Sequence, residues 1–164
     1  MDIEGLGEKQ VEKFIELGLL HDVADIYDLD YDAIADQPGY QAKSVANLRA
    51  AIEASKHRPL ANLLVGLNIV HLGGAGAEAL AAGLGSLEAI ATAAVADIAA
   101  VEGLGPIIAG SVHAFFANPA NQELVRRLRA AGVNTTGPER STLPQTLAGR
   151  TVVVTGGLEG FTRE

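Results

Sequence analysis

A three-residue motif recurs four times in this chain at a nearly constant spacing. Its copies are Gly5-Leu6-Gly7 (turn 1), Gly39-Tyr40-Gln41 (turn 2), His71-Leu72-Gly73 (turn 3) and Gly103-Leu104-Gly105 (turn 4), and they begin 34, 32 and 32 residues apart. Each copy is followed four residues later by a small or β-branched apolar residue, namely Val11, Val45, Ala77 and Ala109. A fixed period of this length indicates an internal repeat, in which each unit is a small supersecondary structure packed on its neighbours.

The best-formed copy is turn 4, where an apolar segment runs into Gly-Leu-Gly and out into a second helical pattern. Helix, tight turn and helix in this order predict a helix-hairpin-helix. Glycine lets the backbone adopt φ > 0, and the amides at the start of the next helix form a positive, unpaired anion site. The predicted phosphate-binding residues are Gly5, Leu6, Gly7, Lys9, Gly39, Tyr40, Lys43, Gly73, Gly74, Gly103, Leu104, Gly105 and Ile107.

The charge distribution limits how such a site could work. The net charge is −8, but residues 1–36 carry eleven acidic and two basic side chains, whereas residues 59–122 carry four acidic and no Lys or Arg side chains. Phosphate binding in that middle region must therefore use backbone amides rather than a basic patch. The absence of cysteine from the sequence excludes disulfides and thiolate metal sites, and the four histidines lack ligand spacing.

Hydrophobic periodicity predicts helices over 8–18, 42–57, 60–67, 75–83, 87–94 and 122–131, with Ser86 and Asp97 as N-caps and Gly132 as the C-terminal glycine. Residues 1–133 are expected to form a mainly α unit of four hairpins. A polar linker at 134–146 follows, and the β-branched run 151–155 predicts a strand. No signal peptide or membrane span is expected, because the N-terminus is acidic and every apolar run is interrupted.

The remaining charged side chains have simpler interpretations. Arg49, Lys56 and Arg58 are candidate basic contacts, although Glu53 could instead pair with Arg49 one helical turn away. We expect Arg126, Arg127 and Arg129 to be surface charges near the end of a helix rather than a DNA patch. The aspartates of the N-terminal region are expected to form a solvated acidic face; they are Asp22, Asp25, Asp28, Asp30, Asp32 and Asp36.

The chain resembles the C-terminal part of bacterial NAD-dependent DNA ligases. The resemblance covers nearly all of it and rests on residues 1–9, Ala51-Ile52-Glu53-Ala54-Ser55-Lys56, Arg58-Pro59-Leu60-Ala61, Leu147-Ala148-Gly149-Arg150-Thr151, Thr155-Gly156 and 158–164. It implies four hairpins followed by the start of a BRCT domain over 147–164. The implied role is to grip the minor-groove backbone of duplex or nicked DNA without reading sequence.

The same resemblance implies that catalysis belongs to other parts of the ligase. The adenylation motif Lys-x-Asp-Gly and a four-cysteine zinc site do not occur in this sequence. NAD, Mg²⁺ and structural Zn²⁺ would therefore bind outside this chain, which would have no catalytic residues or cofactor of its own. The implied partners are DNA and the remaining ligase domains, in a monomeric, cytoplasmic bacterial enzyme.

Three positions depart from the family pattern. Gln41 stands where the family places glycine, Gln37 where it usually has an apolar residue, and Val70 where arginine is customary. We expect a left-handed conformation at Gln41 to cost about 1 kcal/mol and to weaken turn 2. Two alternative functions stay open: a protein-interaction scaffold of helical hairpins, and the DNA-binding tail of a repair nuclease or branch-migration subunit.

Overall fold

The structure is a computed structural model that describes residues 1–139. Within that range the chain is built from helices and contains no strand. The helices are α1 Glu8–Glu16, α2 Tyr31–Ala35, α3 Ala42–Ser55, α4 Leu60–Gly66, α5 Gly74–Leu84, α6 Leu87–Thr92, α7 Val95–Ala99, α8 Pro106–Ala117 and α9 Pro119–Ala130, with a 3₁₀ turn at Asp25–Asp28. Residue 140 onward, including the predicted strand and BRCT-like segment, lies outside the described residues.

The helix ends follow local chemistry. Gly18 at φ +70° closes α1, and the Ser86 hydroxyl accepts the Ala89 amide at 3.1 Å, which confirms Ser86 as the N-cap of α6. The prediction for Asp97 was wrong. The backbone is extended at Ala94, so α7 begins at Val95 and Asp97 lies inside its first turn. A carboxylate at that position interacts favourably with the positive end of the helix dipole.

The last helix begins earlier than its predicted start at residue 122. Asn118 caps α9 by accepting the Ala120 amide at 2.9 Å, and Pro119 occupies the first helical position, where its missing N–H costs nothing. Gly132 at φ +84° follows the helix, as expected of a C-terminal glycine.

Two buried clusters divide the described helices into two halves. The first half, residues 1–55, contains turns 1 and 2, and we call it the N-terminal pair; its fully buried members are Phe14, Ile34 and Ile52. The second half, residues 60–133, contains turns 3 and 4 and is called the C-terminal pair; its buried cluster also takes in Ala24 from the first half. Tyr27 packs against both clusters, so the 3₁₀ turn that carries it lies at the junction of the two pairs.

The segment after α9 is hydrogen-bonded to the helical unit. Asn134 donates its amide to the Lys56 carbonyl at 2.8 Å, and Gly137 donates to the Gly85 carbonyl at 2.8 Å. The Thr135 carbonyl accepts the Leu87 amide at 2.9 Å. Residues 134–137, placed in the linker by the sequence, therefore contact the helices, and a methyl group on Gly137 would overlap the Ala81 carbonyl oxygen.

Candidate nucleic-acid interface

The four motif copies share one backbone conformation. Their first residues lie in the left-handed region, with φ of +81°, +92°, +67° and +84° for Gly5, Gly39, His71 and Gly103. Their third residues are extended and act as N-caps of α1, α3, α5 and α8, with φ of −84°, −110°, −84° and −92° for Gly7, Gln41, Gly73 and Gly105. The sequence repeat is thus a repeat of backbone geometry.

This geometry corrects the expectation of strain at Gln41. The third position of the turn is extended, a conformation open to any residue, so Gln41 carries no left-handed penalty. Among the residues of the four turns, the strained one is His71, whose φ of +67° places a side chain in the left-handed region.

The middle residue of each turn holds the turn together. Leu72 and Leu104 are buried, and Leu6 and Tyr40 are half-buried. The backbone amide of each middle residue donates to the carbonyl three residues earlier, at 3.0 to 3.2 Å; the four acceptors are Ile3, Gln37, Ile69 and Val101. Although Leu6, Tyr40 and Leu104 were among the predicted phosphate-binding residues, their amides can reach an anion only if the turn opens.

The amides that remain for an anion are at the third position and in the following helical turn. In the described part of the chain, the amides of Gly7, Gly73 and Gly105 have no acceptor, and neither do those of Lys9, Gly74 and Ile107. Such amides at a helix N-terminus carry positive partial charge and suit phosphate oxygens. Phosphate binding at these residues stays a prediction.

Turn 2 differs because it caps itself. The Gln41 amide donates to the Ser44 hydroxyl oxygen at 3.0 Å, and that hydroxyl donates back to the Gln41 carbonyl at 2.8 Å. The anion position equivalent to Gly7, Gly73 and Gly105 is therefore occupied by a side chain of the same helix. Sequence reasoning missed this contact, although a serine three residues after an N-cap is a recognisable signal.

Each pair brings its two turns together through side chains. In the C-terminal pair, Leu72 and Leu104 meet over Gly76, where an added methyl group would lie 3.1 and 3.3 Å from their Cδ atoms. In the N-terminal pair, the Tyr40 hydroxyl donates to Gln10 of α1, and Lys13 lies 4.7 Å from the centre of the Tyr40 ring. Turns 3 and 4 therefore contact each other directly, whereas turn 2 contacts the helix that follows turn 1.

The predicted cations fall into two groups. Lys9 and Lys43 are exposed, have no carboxylate partner among residues 1–139, and are each the second residue of a helix that follows a turn. The other three candidates are engaged: Arg49 stacks 5.4 Å from the Tyr31 ring centre, Lys56 pairs with Glu53 at 2.8 Å, and Arg58 pairs with Asp2 at 3.6 Å. Glu53 therefore pairs with Lys56 rather than with Arg49.

The C-terminal pair contributes no cation from its turns. Its hairpins instead expose apolar side chains, with Val70 66% exposed just before turn 3 and Ile107 70% exposed just after turn 4. Among the described residues, no helix is both long and apolar enough to cross a bilayer.

Two of the three arginines on α9 were predicted correctly as exposed charges. Arg126 pairs with Glu123 in its own helix, with Nε 2.7 Å from Oε2, and Arg129 lies 3.3 Å from Glu88. Arg127 is different. It is half-buried and binds Asp22 and Asp25, two residues that the sequence assigned to a solvated acidic face.

Known proteins similar to this chain agree with this geometry. A family model described as a helix-hairpin-helix motif matches residues 62–125, which contain turns 3 and 4. Over the whole chain, DNA ligases of Chloroflexus aurantiacus and Roseiflexus sp. are 47% and 49% identical, and a DNA ligase of Desulforamulus reducens is 45% identical. The predicted resemblance to DNA ligases is confirmed.

The extent of the match limits what it shows. The chain spans about a quarter of those ligases, 23% of the Chloroflexus and Roseiflexus proteins and 25% of the Desulforamulus protein. Together with the four turns, the match supports a helix-hairpin-helix fold in a segment similar to part of a DNA ligase.

Proposed function

We propose that this chain is the duplex-binding part of an NAD-dependent DNA ligase. The observation that carries the proposal is the shared geometry of the turns, three of which leave the amide of the N-cap residue without an acceptor within residues 1–139. The similarity to DNA ligases along the whole chain supports DNA as the ligand.

The proposed contacts are to the phosphate backbone along the minor groove. The amides of Gly7, Gly73 and Gly105 each bind a phosphate oxygen, and Lys9 and Lys43 add a charge beside turns 1 and 2. Because amide-to-phosphate contacts carry no base information, binding is independent of sequence. The chain holds a nick for a catalytic part elsewhere in the ligase, which supplies the NAD, Mg²⁺ and Zn²⁺ sites and joins the strands during replication and repair in the bacterial cytoplasm.

Salt dependence tests this proposal. Two unpaired lysines release about two counterions, so log K against log salt should have a slope of about −2, well below that of a protein with a basic patch. The measurement is fluorescence anisotropy with labelled nicked and intact duplexes at several salt concentrations. AT-rich and GC-rich duplexes should bind with equal affinity within experimental error.

A matched pair of variants locates the ionic contacts. The double variant Lys9→Gln, Lys43→Gln should bring the slope close to zero while weak binding persists through the amides. Lys56→Gln removes a lysine already paired with Glu53 and should leave the slope unchanged. A correctly folded chain that binds no duplex at low salt would refute the proposal and favour the scaffold alternative.

A further inference from the structure

Arg127 in α9 connects the two hairpin pairs through two carboxylates. Its Nη1 lies 2.7 Å from Asp22 Oδ2 and its Nη2 lies 2.6 Å from Asp25 Oδ1. The partners are separated by 105 and 102 residues in sequence, and the aspartates belong to the segment between α1 and α2. One guanidinium on the C-terminal pair is thus bonded to two points on the segment that joins α1 to α2, whose Ala24 is buried in the C-terminal cluster.

The two carboxylates are already oriented by the backbone. Asp22 Oδ1 accepts the amides of Ala24 and Asp25 at 2.8 and 3.3 Å. Asp25 Oδ2 accepts the amides of His21 and Asp22 at 2.7 and 3.2 Å. Each carboxylate uses one oxygen for its own turn and presents the other to Arg127, so the receptor for the guanidinium is held in place by its own loop.

The Asp25 pKa reports the same arrangement. Partial burial alone would raise the pKa of Asp25, but hydrogen bonds from Arg127 and from the His21 and Asp22 amides outweigh burial and lower it to about 2. The charged pair therefore persists at every physiological pH.

The junction between the pairs is bordered by two surface pockets. Tyr27 packs against both clusters and lines both pockets. One, of about 300 Å³, is bordered by Arg127; the other, of about 150 Å³, is bordered by Leu67 and Leu128. Apolar contact is non-directional, so incomplete packing fixes an angle less well than a forked ion pair does.

We propose that Arg127, Asp22 and Asp25 form an orientation clamp that sets the angle between the hairpin pairs so that both contact one duplex. Arg127 is a positioning residue and does not itself touch DNA. The clamp rests on the proposed function, since its effect on affinity requires that each pair bind the same duplex. When two sites share one ligand, the second binding event gains from a high effective concentration, and that gain is lost when their geometry is free to vary.

The test uses the full chain and compares Arg127→Met with Arg126→Met. Both variants remove one positive charge from the same helix, but Arg126 pairs only within α9. A duplex of roughly 20 base pairs offers both pairs a site, whereas one of roughly 8 base pairs offers less than a helical turn. Arg127→Met should weaken binding to the long duplex roughly tenfold and to the short duplex less than twofold, and Arg126→Met should change neither.

Asp22→Asn separates orientation from charge. The amide oxygen can still accept the Ala24 and Asp25 amides, whereas the amide nitrogen cannot bind a guanidinium. This variant makes the chain less negative, so bulk electrostatics predicts tighter DNA binding while the clamp predicts weaker binding to the long duplex. Tighter binding, or equal losses for both lengths, would overturn the proposal.

A measurement without DNA keeps the clamp testable if the chain does not bind duplex. The sequence has no cysteine, so spin labels can be attached through Glu12→Cys in α1 and Glu78→Cys in α5, both exposed positions. Arg127→Met should broaden the distance distribution between the labels, and Arg126→Met should leave it narrow. Equal distributions would refute the clamp, whereas failure of DNA binding alone would refute only the proposed function.

Discussion

Two glycines in turn 4 should respond differently to the same substitution. Gly103 has φ +84°, whereas Gly105 has φ −92° and ψ 171°, and an added methyl group would meet nothing within 4 Å at either position. The two positions therefore have equal room for a side chain, and they differ in backbone conformation. The pair isolates the conformational requirement of the repeat from packing.

The magnitudes follow from two terms. Alanine in the left-handed region costs about 1–2 kcal/mol, and replacing glycine by alanine stabilises by about 0.4–1 kcal/mol because the unfolded chain loses freedom. Gly103→Ala should thus lower the free energy of unfolding by about 0.8 kcal/mol at the middle of both ranges, and by about 1.6 kcal/mol at most. Gly105→Ala has no left-handed cost, but Gly105 is the N-cap of α8, where alanine is less favourable than glycine by an amount similar to the unfolded-state gain, so the free energy of unfolding should change by less than about 0.5 kcal/mol.

Urea denaturation followed by far-UV circular dichroism measures both changes. His71→Gly provides a third point, since it removes a side chain from φ +67° and should not destabilise the chain. Equal destabilisation by Gly103→Ala and Gly105→Ala would refute the assignment of distinct conformations to the two ends of the turn.

Three further changes test other parts of the structure. Ser44→Ala frees the Gln41 amide and should tighten duplex binding by roughly twofold to fivefold in an anisotropy titration; weaker binding would show that the self-cap is needed for contact. The folded pKa of Asp25 is about 2, below its ordinary value of 3.8, so its pairing with Arg127 contributes stability above about pH 4 that is lost as the pH falls toward 2. The difference in urea midpoint between the wild type and Arg127→Met should shrink over that range, and a constant difference would contradict the pairing. Gly137→Ala should displace the segment after α9 from the helices, which would appear as faster amide hydrogen exchange in that segment, while the DNA affinity stays unchanged. Unchanged exchange rates would show that this position tolerates a side chain.

The repeat and the mainly helical fold could be predicted because both depend on residues that are close together in the sequence. Glycine and proline mark the turns, apolar periodicity marks the helices, and the spacing of about 32 residues aligns the units. Helix starts were less predictable, because Asp97 is a good N-cap residue in isolation but the extended backbone at Ala94 starts the helix first.

Contacts between distant residues could not be predicted from local pattern. Nothing near Asp22 or Asp25 in sequence identifies Arg127 as their partner, since the contact depends on how the two pairs pack. The strain assigned to Gln41 was wrong for a related reason: glycine was assumed to serve the same purpose at both ends of the motif. Only the first position requires the left-handed region, and the third is an extended N-cap.

In the proposed function, backbone amides at the hairpin turns hold duplex DNA. The most direct measurement is a ¹H–¹⁵N NMR titration of the full chain with a nicked duplex. We predict the largest shifts at the amides of Gly7, Gly73 and Gly105, and a small shift at Gln41, whose amide is bonded to Ser44. Shifts absent from these three glycines, or concentrated instead on α9, would contradict the account.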